Sequence, residues 1–387
     1  MRIAYICADN GIPLDGSKGA SNHVREFVAA LVKLGHEPAV FAARIGQPQP
    51  NLSYGTYAIG STENFPVSLH PETAGVLRNE SLVDTLEAQH ALRRFDIVYE
   101  RYSLWSFGGL EFARANGLPF VLEVNSPLRQ EQMNFRTLHM RATAGLVERC
   151  VFSGATLLAG VSSSVVDYAV RQSGRTGPSI VLPNGVDLDL FASCRPAGAD
   201  EPFTIGFAGS LKPWHGLEVL LEAYRLLTAQ SPDYRLLVVG DGPLREYIER
   251  ETVSERLGGL VQITGALDKR RVPEALERMH VAVAPYTPMD DFYFSPLKIY
   301  EYMAAGCAIV ASRIGQVADV LSEGQTGLFA EPGNAADLAR QIRRLREDIP
   351  LRESLGRSAR REAFACHSWT SRVTEVLQAV GENAHVD

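Results

Sequence analysis

MRIAYICADNGIPLDGSKGASNHVREFVAALVKLGHEPAVFA, residues 1–42, carries the pattern from which the fold is read. Ile3 to Ala8 is an apolar run of strand length, and a loop containing Gly11, Gly16 and Gly19 follows it. Val24, Phe27, Val28 and Leu31 then recur on one face of a helix that Gly35 closes, and Pro38 to Ala42 forms a second strand. Strand, helix and strand in so short a span make a βαβ unit, whose crossover requires parallel strands.

Outward from this unit the alternation continues. After a less regular stretch from Gly46 to about Thr73 come strands at Asp96–Glu100 and Pro119–Val124 with a helix around Leu110 between them. Helical patterns at about 128–150 and 163–173 alternate with apolar runs at Thr156–Val161 and Ser179–Leu182. The aperiodic segment Phe191–Pro202 interrupts the series. A second series follows, with strands at Phe203–Ala208, Arg235–Val239, Gln262–Thr264, Val281–Pro285 and Ala308–Ala311. The expected fold is therefore α/β, with two doubly wound domains at 1–195 and 196–366 and a helix in 367–387 that returns to the first domain. Open parallel sheets bind ligands at the carboxyl ends of their strands, so a deep cleft between two facing domains is the expected active site.

A chain of 387 residues exceeds the ~250–300 at which single cores stop growing, which agrees with two domains. A net charge of −7 excludes the broad basic stripe of a nucleic-acid binder. The five cysteines are widely spaced with no CxxC pair, so neither a zinc site nor a disulfide framework is expected, and a reducing, cytoplasmic location fits. The amino terminus lacks the features of a signal peptide, and no stretch reaches the ~18–20 apolar residues of a membrane span. Peripheral membrane contact stays open.

Several strand-to-helix turns carry residues suited to an anion. Gly16-Ser-Lys-Gly-Ala-Ser21 lets backbone N–H groups approach a phosphate or sugar, or else serves only to cap the helix through Ser21 or Asn22. In Phe207-Ala-Gly-Ser-Leu-Lys-Pro-Trp-His-Gly216, Lys212 and His215 stand at a strand's carboxyl end, where Lys212 reads equally as a solvated loop lysine and His215 as an N-terminal helix residue with a local partner. Gly240 and Gly242 in Val238-Val-Gly-Asp-Gly-Pro243 need mean only a tight turn, and Thr264-Gly-Ala-Leu267 offers backbone groups to a flat base. Phe294-Ser-Pro-Leu-Lys-Ile-Tyr-Glu-Tyr-Met-Ala-Ala-Gly306 starts a helix, with Ser295 as N-cap and Pro296 in the first turn. Lys298 and Glu301 are one turn apart, either as a surface ion pair or as holders of a diphosphate and a ribose diol. Asp290 and Asp291, adjacent carboxylates in an irregular loop, read as a solvated pair. Glu123, at a strand end, is placed to orient Asn125 or acceptor hydroxyls.

In this order the stretches SKGASNHVREFVAALVKLGHE, LPNGVD, FAGSLKPWHG, VVGDGPL, SPLKIYEYMAAGCAIVAS and GQTGLFAEPGN resemble glycosyltransferase family four over nearly the whole chain. The resemblance implies the GT-B fold, two Rossmann-like domains facing across a cleft. It also implies retaining, metal-independent transfer from a nucleoside-diphosphate sugar, a UDP-sugar foremost, to an acceptor the sequence does not identify, without a cofactor. Glu301 would bind the ribose. The helix start Ser295, Pro296, Leu297 and Lys298, together with Lys212 to Gly216, would hold the diphosphate, with Gly19 approaching it from the first domain. Lys212, Asn125 and Glu123 are the catalytic candidates. Ser210, His215, Gly242, Leu267 and Tyr293 complete the donor set.

The sequence departs from the family pattern in three places: Tyr293 replaces a second glutamate, Ser210 and His215 replace an Arg and a Lys, and Asn125 replaces a histidine. Alternatives are a nucleotide-sugar epimerase or sugar phosphorylase of similar fold, or a non-catalytic nucleotide-sugar binder.

Overall fold

A computed structural model describes residues 1–16, 19–46, 53–60, 69–198, 202–254 and 260–383. The chain divides into two compact units, the first made of Met1–Asn184, Tyr293–Ser295 and Trp369–Asp387, the second of Gly185–Phe292 and Pro296–Ser368.

The first unit holds strands β1 (Arg2–Cys7), β2 (Glu37–Ala42), β3 (Gly55–Ala58), β4 (Ile97–Arg101), β5 (Phe120–Val124), β6 (Leu157–Gly160) and β7 (Ser179–Val181). All pair in parallel, in the order β3-β2-β1-β4-β5-β6-β7. Helices on both faces bury the central strands, which is why β1, β4 and β5 read as continuous apolar runs rather than as alternations. The strand order reverses between β1 and β4, and that reversal opens a crevice at their carboxyl ends.

The second unit repeats the plan with β8 (Thr204–Ala208), β9 (Arg235–Val239), β10 (Val261–Ile263), β11 (Val281–Ala284), β12 (Ala308–Ser312) and β13 (Leu328–Ala330). Their order is β10-β9-β8-β11-β12-β13, so the reversal falls between β8 and β11. Gly209, Gly216, Gly240 and Gly242 all have positive φ at the carboxyl edge of this sheet. A Cβ on Gly240 would lie 1.9 Å from the Gly209 carbonyl oxygen and one on Gly216 1.7 Å from that of Pro285, so close backbone packing alone requires glycine at both.

The last helix, Trp369–Asn383, packs on the first unit against the helix Gly19–Lys33. The Trp369 indole N–H donates to Glu26, and its ring stands edge-on to His23 at 4.7 Å.

Three details differ from the sequence reading. The first unit's main segment ends at Asn184 rather than at Arg195, because Arg360 of the second unit donates to the carbonyls of Phe191, Ala192 and Cys194. The helix Pro71–Leu92 was hidden because its buried face mixes Glu72 and Asn79 with Ala74, Gly75, Leu82 and Leu86, which blurs the apolar period. Strands β3 and β13 are short edge strands with little apolar length to announce them.

Candidate active site

The turn after β8 and the helix Leu297–Ala305 meet at the β8/β11 reversal. Tyr302 fixes that helix, because its hydroxyl accepts from the Ala208 amide at 2.7 Å and lies 3.2 Å from the Ala208 carbonyl. Lys298, in the helix's first turn, is 7% exposed. Its ammonium sits 4.1 Å from the Phe207 ring centroid and 5.3 Å from that of Tyr286, and among the described residues Nζ has no hydrogen-bond partner. Burial, opposed by Glu301, pushes it down to about 7. An unpartnered buried ammonium is costly unless an anion completes it.

The helix start supplies the matching field. Pro296 occupies the N-cap position and among the described residues no side chain caps this end; the Ile299 N–H donates to the Pro296 carbonyl at 3.1 Å, which leaves the N–H groups of Leu297 and Lys298 for an anion. The sequence placed Ser295 in that capping role, and the structure corrects this: Ser295 Oγ instead accepts from the Asn184 amide at 2.9 Å, while its carbonyl accepts from Asn184 Nδ2 at 2.6 Å. Leu297 is the first helical residue, and Glu301 follows Lys298 on the same helix, half-buried.

His215 Nδ1 lies 2.5 Å from the Ser210 carbonyl, which can only accept, so Nδ1 carries the proton. Burial, then the charges of Lys298 and Lys212, push this ring down to about 3, leaving Nε2 a bare lone pair at neutral pH. The Ser210 side chain is exposed. Lys212 is half-buried with its ammonium 5.4 Å from the Trp214 ring, and no ion pair engages it among the described residues. Gly242 packs on the backbone of Leu211, where a Cβ would lie 2.8 Å from its amide nitrogen, and Leu267 lies half-buried after β10. Asp290 and Asp291 are exposed.

In the first unit, Glu123 at the end of β5 is 1% exposed. Its Oε1 lies 2.8 Å from His23 Nε2 and 3.0 Å from Arg101 Nη1, and also accepts from Asn125 Nδ2; Tyr99 donates to Oε2. Burial alone would raise this carboxyl, yet His23, Arg101 and Tyr99 hold it down to about 2. Both oxygens are thus engaged inside the protein, and one of the bonds holds Asn125, the neighbour that the sequence places Glu123 to orient. His23 Nδ1 lies 2.8 Å from Asn184 Oδ1.

The family model for "Glycosyltransferase Family 4" matches residues 17–190, and that for "Glycosyl transferases group 1" matches residues 202–348. The chain belongs to glycosyltransferase family four. This glycosyltransferase is 26% identical to a D-inositol 3-phosphate glycosyltransferase from Pseudarthrobacter chlorophenolicus, over 90% of this chain and 86% of that one. Its fold resembles sucrose-phosphate synthase from Thermosynechococcus elongatus (TM-score 0.72, 21% identity, all of both chains). It also resembles HepE from Anabaena in complex with UDP (TM-score 0.74, 16% identity, 99% of this chain and 100% of that one). The architecture of the glycosyltransferase is GT-B, with two parallel-sheet Rossmann-like units.

The remaining expected residues of the glycosyltransferase are found as follows. Gly19 is exposed and is the first residue of its helix, while Ser17 and Lys18 lie outside the described residues. Ser21 and Asn22 stand inside that helix rather than capping it. Tyr293 is half-buried against the first unit's core, and its hydroxyl donates to Glu131 at 2.6 Å. His23, Tyr99, Arg101 and Asn184 escaped the sequence reading. The signal was there for Arg101, a charged residue ending the buried run Ile97-Val-Tyr-Glu-Arg101, and for His23 on the apolar face of the first helix.

Proposed function

We propose that this glycosyltransferase transfers a sugar, with retention of anomeric configuration, from a UDP-sugar to an acceptor, and needs no metal. The unpartnered ammonium of Lys298 beside an uncapped helix start is the observation that carries the reading. A diphosphate leaving group develops charge on its phosphoryl oxygens, and fixed donors in a dry site stabilise that charge without reorganising. Lys212 adds a second cation on the turn after β8. Glu301 supplies a carboxylate able to accept from both hydroxyls of a ribose. The relative HepE, solved in complex with UDP and with UDP and glucose, favours uridine as the base.

A screen of nucleotide sugars for thermal stabilisation tests the donor class, since a ligand at about 100 times its dissociation constant adds about 2.7 kcal/mol. UDP-sugars should stabilise the protein, and their failure to do so while another nucleotide sugar succeeds would overturn the choice of base. With an acceptor in hand, UDP should be released with or without EDTA, and proton NMR should find the donor's anomeric configuration in the product. Release only on adding magnesium or manganese would overturn metal independence. An epimerase would instead return an altered sugar still joined to its nucleotide.

A further inference from the structure

We propose that the first unit holds an acceptor bearing an oxyanion, a phosphate or a carboxylate, through the guanidinium of Arg78; the proposal rests on the glycosyl-transfer reading above. That reading assigns the donor's diphosphate to the second unit, which leaves the crevice at the carboxyl ends of β1 and β4 for the acceptor. The first half of the helix Pro71–Leu92 is bound along this edge of the sheet. Ser81 Oγ accepts from the Gly60 amide, just after β3, at 3.0 Å. Asn79 Oδ1 accepts from the amides of Phe107 and Gly108, after β4, at 2.8 and 2.7 Å, and Asn79 Nδ2 donates to the Trp105 carbonyl at 2.8 Å. Glu72 accepts from the amides of His139 and Met140 at 2.9 and 2.7 Å.

Arg78 leaves this same half of the helix near Asp9, which follows β1. It is half-buried: burial pulls the guanidinium below its ordinary value and Asp9 opposes that shift, yet among the described residues no hydrogen bond or ion pair engages it. Arg25, Arg101 and Arg129 differ, since Arg25 donates to the carbonyls of Leu14 and Gly16, Arg101 to Glu123, and Arg129 to Glu148 and Gln172. Arg44, after β2, is exposed. A half-buried guanidinium without partners carries a desolvation cost that a bound oxyanion offsets, and its planar fork matches phosphate or carboxylate through two parallel bonds. Asp9 Oδ1 accepts from the Gly11 amide at 2.7 Å, which fixes this carboxylate in the loop after β1. A carboxylate near the site repels a lone anion but accepts from hydroxyls, so the two residues together select a compound carrying both groups, such as a phosphorylated polyol or a sugar acid.

Calorimetry of the full-length wild type, Arg78→Gln and Arg78→Lys tests this, with UDP, glucose 6-phosphate, glycerol 3-phosphate, glucuronate, and the neutral parents glucose and glycerol as probes. In the wild type at least one charged probe should bind about tenfold or more tightly than its neutral parent, the scale of a hydrogen bond to a charged group. Preference for the phosphates or for glucuronate tells the two oxyanions apart. Arg78→Gln should erase the preference while UDP affinity stays within about twofold of wild type. Arg78→Lys, which keeps the charge without the fork, should retain part of it. No preference for charged probes in the wild type, an unchanged preference in Arg78→Gln, or equal losses for UDP and the anions would each overturn the proposal. Failure of UDP to bind a wild type that still shows the Arg78-dependent preference would instead overturn the donor reading. Should Arg78→Gln fold poorly, the comparison of Arg78→Lys with the wild type carries the same test.

Discussion

Lys298 places its ammonium over the ring of Phe207, 4.1 Å from the centroid, in the first turn of a helix whose end no side chain caps. The ring face partly offsets the buried charge, and the absence of a hydrogen-bond partner among the described residues leaves the ammonium poised for an anion.

This arrangement predicts a pH dependence for donor binding. Burial lowers Lys298 from 10.5 to about 7. Between those values the unfolded chain holds a proton that the folded protein lacks, so this group adds stability as pH rises through the window. A diphosphate reverses the preference because it favours the charged ammonium. UDP-glucose affinity should therefore rise as pH falls from about 8.5 to 6.5, with proton uptake visible as a dependence of the binding enthalpy on buffer ionisation. A flat profile would remove Lys298 from the phosphate site.

Glu301 carries a separate prediction. A carboxylate accepting from two ribose hydroxyls makes charge-assisted bonds that an amide replaces only in part, so Glu301→Gln should weaken UDP binding by about 1.5–3 kcal/mol. Comparison of UDP with 2′-deoxy-UDP should show that the mutation narrows the difference between them. Equal affinity in a folded Glu301→Gln protein would place the ribose elsewhere.

The Glu123 network makes a prediction about stability. Folding holds this carboxyl down from 4.5 to about 2, so it contributes stability above pH 4.5 that is lost as pH falls toward 2. Glu123→Gln leaves His23 and Arg101 buried without their anion and should cost about 3–5 kcal/mol in chemical denaturation. The variant should also lose most of the acid sensitivity between those values, and a wild-type acid profile in Glu123→Gln would contradict the network.

The sheets were legible because buried parallel strands are nearly all apolar, and runs such as Ile3 to Ala8 and Val281 to Pro285 have few other readings. Lys298 and Glu301 were legible as a pair because one helical turn separates them. Distant partners were not. His23 meets Glu123 across 100 positions of sequence, and Tyr293 meets Glu131 across 162, contacts that no local period encodes. Ser295 was misassigned for a similar reason: its local sequence suits a cap, but Asn184, far along the chain, takes its hydroxyl.

The central claim is that the diphosphate of the donor is held at Lys298. Calorimetric titration of UDP into the wild type and into Lys298→Met tests it most directly, because methionine keeps an unbranched side chain of similar length in the pocket and removes only the charge. A thermal melt of the same variant should show a midpoint equal to or above that of the wild type, since a buried, unpartnered ammonium has been removed. The account predicts that UDP affinity then falls by about tenfold or more. A stable Lys298→Met protein that binds UDP as tightly as the wild type would contradict it.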